Sequence, residues 1–474
     1  MTPLSTTDNN LGKPLSDLRC PFEAAAEVYK DLSSIANTSV KDLAKNNSSL
    51  LVFPEVLGSF EDGIEEQHVF DLCGNPEELK KVKLTTGNLM GFIGIGGTLL
   101  KISSRFSQDD ENDFFLHYML EKVFSINLFD FKHTASTGGL DLLMFLFPHF
   151  LKKALAQGLF RQYQTFKRND ANVKGAIDVN RHIKLNVPFG GKIAYNSRER
   201  TFDNPITQLI RHTVEFIKTK NFGNAVLNTD TEMRKCVQEI IAATPSYSLQ
   251  NREKIIAANL KPVNHPYFTK YKPLQKLCLA ILRHKKIGFG KSNNKVYGIL
   301  FDGAWLWEEY LAISLQKCGF RHPKNKSGTG AISVYSGNPR YPDFYKGTQI
   351  ESCAEKDEIN GNFVLDAKYK HLDNHKPSSD EITVSFSRDD LHQLITYMYI
   401  MPAKNAGLIY PYDKDDHRNS EKIIVSPKRT IFGYGGTVCT YGVPIPWKRN
   451  YAEFVESMEA TLKRSILSRA IIAT

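Results

Sequence analysis

The stretch "YPDFYKGTQIESCAEKDEINGNFVLDAKYK", residues 341–370, holds two short apolar runs, each carrying an aspartate that strand packing does not ask for. Asp343 directly follows Pro342, and Asp366 stands two residues before Lys368. Paired carboxylates with an ammonium beside them suit phosphodiester hydrolysis. One or two carboxylates bind Mg2+ and leave positions open for water and a phosphate oxygen, while the cation and the lysine offset charge growing on the phosphate. The same residues also describe an ordinary hairpin with an Asp/Lys pair on its solvated face, and from the D-x-K spacing alone that plainer explanation is the commoner one.

The elements around these residues must bring them together. In "NFVLDAKYK" a period of two places Phe363, Leu365, Ala367 and Tyr369 on one face and Val364, Asp366 and Lys368 on the other, which predicts a strand with Asp366 and Lys368 projecting together away from the core. Pro342 suits the first residue of a preceding strand. The separation 366 − 343 = 23 residues allows two antiparallel strands and a polar loop, so both carboxylates reach the same end of a sheet. Upstream, "AWLWEEYLAISL" has Trp307, Leu311 and Leu315 at helical spacing, with Glu308 beside the buried stripe, where a carboxylate is costly unless paired or bound to metal. Downstream, "DLHQLITYMYIM" puts Gln393 and Tyr397 at i and i+4 on one helix face. Taken singly, each of these helices also fits a plain helix with polar edges.

Other motifs are missing or incomplete. "GFGKS" at 288–292 resembles the end of a phosphate-binding loop, but the required first glycine is Lys285. "GFIGIGG" at 91–97 lacks the third glycine of a dinucleotide fingerprint and predicts a turn between strands. Thirteen histidines supply neither H-E-x-x-H nor a Cys/His set at zinc spacing, and there is no G-x-S-x-G elbow. The seven scattered cysteines predict reduced thiols. With no basic-then-apolar leader and no long apolar run, the expectation is a cytoplasmic protein with no membrane contact.

At 474 residues, with 61 Lys+Arg against 51 Asp+Glu, the chain is expected to fold as two or three domains and to favour a polyanionic partner. We expect an α/β (α+β multidomain) protein. Residues 1–20, polar and without period, predict a flexible arm. Residues 21–110 predict a β-rich domain, with "LKKVKLTTGNLMGFIGIGGTLLKISSRF" as consecutive antiparallel strands. Residues 111–295 predict a mostly helical basic region, starting at the helical spacing of "DDENDFFLHYMLEKVF", with Pro148 breaking or kinking a helix. Residues 296–474 predict a central mixed sheet flanked by helices. Lys254 to Phe301 contains no carboxylate and predicts either a stretch that follows a phosphate backbone or a solvated basic face; Lys152 to Lys220 is rich in Lys and Arg and predicts either a DNA- or partner-facing surface or a merely soluble basic region.

The order helix with Glu308, Pro342-Asp343, Asp366-x-Lys368, Gln393-x-x-x-Tyr397 resembles the PD-(D/E)xK nuclease superfamily. Within it the chain is similar to the McrC family, the nuclease subunit of McrBC-type modification-dependent restriction systems. "TGNLMGFIGIGGTLLKISSRF", "GLFRQYQTFKRNDANVKGAIDVNRHI" and "DLHQLITYMYIMPAKNAGLIYP" also resemble family segments, so the likeness covers most of residues 85–450. It implies a PD-(D/E)xK restriction-endonuclease-like domain at 296–474 and an endonuclease that cuts double-stranded DNA with Mg2+. It also implies an AAA+ GTPase (McrB-like) partner that recognises modified DNA and is contacted and stimulated by the N-terminal part, here 21–110. By the same resemblance Asp343, Asp366 and Glu308 hold metal, Lys368 is the catalytic lysine, and Gln393 and Tyr397 shape the site. The first 80 or so residues, and the length of the loop between the aspartates, depart from the family pattern. The rival expectations are a DNA-binding adaptor that activates an NTPase without cutting, and a nuclease that works without a motor.

Overall fold

The computed structural model describes residues 2–47, 49–54, 66–75, 78, 81–107, 113–126, 140–287, 296–323, 331–347, 363–372, 386–413, 422–433 and 435–463. The chain forms two compact units, Met1–Gly139 with Lys291–Thr474, and Leu140–Gly290. Both units combine helices and strands. The "GFGKS" stretch and most of the loop between Asp343 and Asp366 lie outside the described residues.

The first unit contains a five-stranded sheet in the order Thr2–Thr7, Thr98–Ser103, Leu89–Ile95, Tyr297–Asp302, Ser49–Phe53. Every residue of Leu89–Ile95 is buried, as befits a central strand. Its Gly91 has φ +127, and a Cβ there would stand 2.1 Å from the Ile299 carbonyl oxygen, so glycine alone permits this pairing. Leu89–Ile95 and Thr98–Ser103 form the expected hairpin around Gly96, while Lys83–Thr86 pairs instead in a small separate sheet with Phe70–Cys73 and Lys13–Pro14. The region is not purely β: Ala25–Ser33 and Val40–Asn46 are helices.

Two expectations are corrected here. The predicted arm at 1–20 is a strand followed by ordered chain: Thr2–Thr7 pairs in parallel with Thr98–Ser103, and Leu4 is buried. Its polar composition concealed an alternation in which Leu4 and Thr6 face inward while backbone pairing supplies the rest. The predicted boundary at 296 is also displaced, because Tyr297–Asp302 inserts between Leu89–Ile95 and Ser49–Phe53 rather than into the C-terminal sheet. That strand runs straight into the helix Gly303–Leu315, capped by Asp302 through Ala304 N–H.

The C-terminal sheet has the order Phe344–Lys346, Phe363–Ala367, Asn405–Tyr412, Thr437–Pro444, Ile424–Val425, with Arg429–Thr430 also pairing to Thr437–Pro444. The first pair is antiparallel and the next two are parallel, so the sheet is mixed. Helices Gly303–Leu315 and Arg388–Ile400 pack on Phe363–Ala367, and Tyr451–Lys463 packs on Thr437–Pro444. Leu394, Tyr397 and Met398 share a buried cluster with Val364, Leu408 and Tyr410, which fixes the Arg388–Ile400 helix over one sheet face.

In the second unit, helices Leu140–Leu155, Pro205–Lys218, Thr231–Ala243 and Tyr271–Ile287 surround an apolar interior, and the first continues through Pro148. Asn204 and Thr207 form a reciprocal cap at the start of Pro205–Lys218. A three-stranded sheet, Gln162–Asp170, Ile193–Thr201 and Ala176–Ile177, carries the short helix Val179–Asn186. Among the described residues no helix is long and apolar enough to cross a membrane.

Candidate active site

Phe344 pairs with Leu365, so extending the antiparallel register by one residue sets Asp343 opposite Asp366. The Asp343 carboxylate accepts the Ala367 backbone N–H at 2.7 Å, which fixes it across the strand pair. The expected wet face is not wet. All of Phe363–Ala367 is buried, Asp366 is 1% exposed, and Val364 packs under the Arg388–Ile400 helix. A helix distant in sequence covers the face that alternation left to solvent, so Asp366 occupies an interior that carboxylates avoid.

Lys368 follows on the same face. Its Nζ lies 2.6 Å from Asp366 Oδ2 and 3.7 Å from Asp390 Oδ1, and it donates to Gln393 Oε1 at 2.9 Å. Gln393 Nε2 donates to the Tyr397 hydroxyl at 3.0 Å, and that hydroxyl donates to the Tyr341 carbonyl at 3.3 Å. The chain of donors orients the Gln393 amide: its oxygen faces the ammonium because its NH2 is taken by Tyr397. Ser387 caps the helix through Asp390 N–H, and Asp390 accepts from Lys370 at 2.7 Å.

Burial pushes the Asp343 carboxyl well above its ordinary range, with the Glu308 and Asp366 charges adding to the rise against the pull of Lys368. Burial likewise raises Asp366, opposed by Lys368. Burial alone would lower Lys368, but Asp366, Asp343 and Asp390 outweigh it and hold the ammonium charged above the usual lysine range. Burial would also raise Asp390, yet Lys370 and the Ser387 cap keep it below its ordinary value. Glu308, half-buried on Gly303–Leu315, thus belongs to the same electrostatic cluster as the strand residues.

Two contributors carried no sequence signal that we used. His322 Nδ1 donates to the Asp343 carbonyl oxygen at 2.7 Å, and its ring stacks on Phe344 at 4.8 Å. Burial lowers its pKa, but Glu309 and the Asp343 carbonyl raise it further, so the imidazole is held above its usual value. Asp390 stands three residues before Gln393 on one helix face, a spacing that would have revealed it.

The side after Lys368 is anchored from behind. Tyr369 points to the opposite face, where its hydroxyl lies 2.7 Å from Ser104 Oγ and 3.2 Å from Met90 Sδ. The Arg105 guanidinium sits 4.9 Å from its ring centroid and pairs with buried Asp8. A Cβ on Gly303 would fall 2.6 Å from that ring, so the glycine makes room for it at the start of the Glu308 helix. The Lys368 N–H donates to the Ile409 carbonyl at 2.9 Å.

Both oxygens of Asp366 are buried; Oδ2 is met by the Lys368 ammonium at 2.6 Å, and Oδ1 accepts no hydrogen bond. A buried carboxylate with one oxygen left without a donor, beside a second, half-buried carboxylate, is a donor set that a hard divalent cation satisfies. Among the described residues no group of three or more His, Cys, Asp or Glu is arranged to hold a metal ion. Mg2+ needs only one or two carboxylates and keeps water at its other positions, so the pair fits it.

Fold and site together define a mixed α/β protein whose first strand pair brings one buried and one half-buried carboxylate and a lysine against a Gln/Tyr helix. A family model described as "McrBC 5-methylcytosine restriction system component" matches residues 84–411, and the chain belongs to that family. It is similar, at 16% identity and a TM-score of 0.50, to a chain of the "Refined half-complex from tetradecameric assembly of Thermococcus gammatolerans McrB AAA+ hexamers with bound McrC", covering 97% of this chain and 99% of that one. A chain of the "Cryo-EM structure of the Thermococcus gammatolerans McrBC complex" aligns at 16% identity and a TM-score of 0.33, covering 67% of this chain and 88% of that one. No curated protein matches the chain.

Proposed function

We propose that the chain is the Mg2+-dependent DNA endonuclease subunit of an McrBC-type restriction system, with a PD-(D/E)xK arrangement in its C-terminal sheet. The observation that carries this reading is the Asp343/Asp366 pair set opposite each other, with Asp366 buried and its Oδ2 2.6 Å from the Lys368 ammonium. Asp343 and Asp366 would hold Mg2+, which when bound supplies Lewis-acid stabilisation of the phosphate, while Glu308, which the structure does not group with them as a third ligand, acts on Asp343 through its charge. Lys368, 2.6 Å from Asp366, is placed to offer positive charge and a hydrogen-bond donor to the phosphate or the attacking water. Gln393 and Tyr397 aim that ammonium, and the strand's burial excludes competing water.

The partner we propose is an AAA+ GTPase, in keeping with the McrB hexamers of the similar structure. Of the two roles open to residues 152–220, the partner-facing one has specific support. Tyr163, Ile177, Val179, Ile183, Val187 and Phe189 are all more than half exposed within one small sheet-and-helix region, far more apolar surface than a solvated face presents. Several cations of that stretch are neutralised locally, Arg168 by Glu199 and Arg181 by Asp178.

The test is cleavage of modified and unmodified plasmid with Mg2+, with and without the partner and GTP, by wild-type and Lys368→Ala protein. The expected result is a loss of about 100-fold or more in cleavage on substitution. Cleavage undiminished in Lys368→Ala would remove the site assignment. Stimulated GTP hydrolysis with no DNA cut under any condition would make the chain an adaptor.

A further inference from the structure

The second unit holds a cavity of about 500 Å³ at the foot of its strand pair, lined by Gly158, Arg161, Arg200, Phe202, Glu239 and Phe268. Gln162 pairs with Thr201, so extending the register sets Arg161 opposite Phe202, and the Arg161 guanidinium indeed lies 4.1 Å from that ring centroid. Arg200, two residues before Phe202, shares its face. Phe268 is 9% exposed and held edge-on against Phe160 and Tyr271, with centroids at 5.2 and 5.6 Å, which makes a rigid aromatic wall. Glu239 enters from the helix Thr231–Ala243. At Gly158 nothing lies within 4 Å of a notional Cβ, so that wall stays open.

Arg168, Arg181 and Arg211 each face a carboxylate within 4 Å, at Glu199, Asp178 and Glu215. The Arg161 guanidinium lies over the Phe202 ring, and neither it nor the Arg200 guanidinium makes a hydrogen bond or ion pair with a described residue. Two guanidinium forks without counter-charges match a phosphate, and planar aromatic and guanidinium faces match a base. A carboxylate in the same cavity repels a bare anion but accepts from ring-edge N–H groups.

We propose that this cavity binds a nucleotide, with its phosphate on Arg161 and Arg200, its base against Phe268 and the Arg161–Phe202 stack, and an amino-bearing base edge on Glu239. The ligand is either a free nucleotide or one splayed from a DNA strand. This inference does not rest on chemistry at Asp343 and Asp366, and its test needs no cleavage.

The test is calorimetric binding to the full chain of dCMP, dGMP, dTMP, inorganic phosphate, a short single-stranded oligonucleotide and polyglutamate. We expect dCMP and dGMP to bind more tightly than dTMP, and inorganic phosphate to bind least. Arg200→Gln is expected to weaken dCMP about tenfold or more, the usual loss for a charge-assisted hydrogen bond, with an unchanged melting temperature because the exposed guanidinium makes no hydrogen bond or ion pair with a described residue. Glu239→Gln is expected to narrow the preference over dTMP. Oligonucleotide binding that is weakened by Arg200→Gln, without mononucleotide binding, assigns the source to a strand; binding of both assigns a free-nucleotide site. Equal affinities in wild type and Arg200→Gln, or inorganic phosphate binding as tightly as dCMP, overturn the proposal. Polyglutamate binding in preference to nucleotides overturns it in favour of an acidic peptide.

Discussion

Replacing Tyr397 by phenylalanine removes one hydroxyl from a side chain only 6% exposed, leaving the packing nearly unchanged. That hydroxyl accepts from Gln393 Nε2 at 3.0 Å and donates to the Tyr341 carbonyl at 3.3 Å. Its removal frees the Gln393 amide to rotate and costs about one neutral hydrogen bond, about 1 kcal/mol, or roughly fivefold in rate if it is expressed through Lys368. Gln393→Leu deletes the amide that faces the ammonium at 2.9 Å, a charge-assisted bond worth about 1.5–3 kcal/mol, or roughly 10- to 100-fold. If the hydroxyl acts only by orienting the amide, the double variant is no slower than Gln393→Leu alone. The assay is single-turnover DNA cleavage at saturating Mg2+ across the four proteins. Fully additive losses would refute the relay, since each residue would then touch the reaction by itself.

Three other outcomes follow from the same contacts. Asp113, the cap of helix Phe114–Phe124, is pushed up to about 6, first by burial and against the hydrogen bonds from Ser104 and Leu116. Its folded form binds the proton more tightly than the unfolded one, so this group's stabilisation is full below about pH 4 and is lost as pH rises toward 6, by about 3 kcal/mol. His117 and His212, lowered to about 4 by burial, tilt the opposite way, so the check is the difference between wild-type and Asp113→Asn denaturation curves; a difference that does not vary with pH would contradict it. Mg2+ at about 100 times its Kd should add about 2.7 kcal/mol to unfolding free energy in wild type and none in Asp366→Asn, and an equal shift in both by thermal melting would remove Asp366 from the ligand set. Tyr369→Phe should slow cleavage about fivefold at unchanged KM, through one lost hydrogen bond behind Lys368, and a change confined to KM would mean the contact with Ser104 serves DNA binding instead.

What the sequence disclosed was set by how local each cause is. Asp343, Asp366 and Lys368 stand in runs whose period of two is a local property, and Gln393 and Tyr397 share a helix face by spacing alone; the structure brings all five together with Glu308. The burial of Asp366 was not legible, because the covering helix begins at Arg388, beyond the strand, and nothing in "NFVLDAKYK" announces a second buried face. His322 donates to a backbone carbonyl, a contact that leaves no trace in residue type. The strand at Thr2–Thr7 was missed because its pairing is through backbone to residues 98–103, and the insertion of Tyr297–Asp302 beside Ser49–Phe53 spans too much chain for any local pattern to show. In the second unit the basic stretch was visible as composition, but which arginines are neutralised depended on cross-strand neighbours such as Arg168 and Glu199.

The central claim is that the carboxylate pair and Lys368 cut DNA, and the most direct measurement is cleavage by Asp366→Asn beside its effect on the partner's GTP hydrolysis. The amide preserves the volume of the side chain while removing the charge that faces the Lys368 ammonium. We predict cleavage reduced by about 100-fold or more with GTPase stimulation unchanged. Cleavage at the wild-type rate in Asp366→Asn would contradict the account.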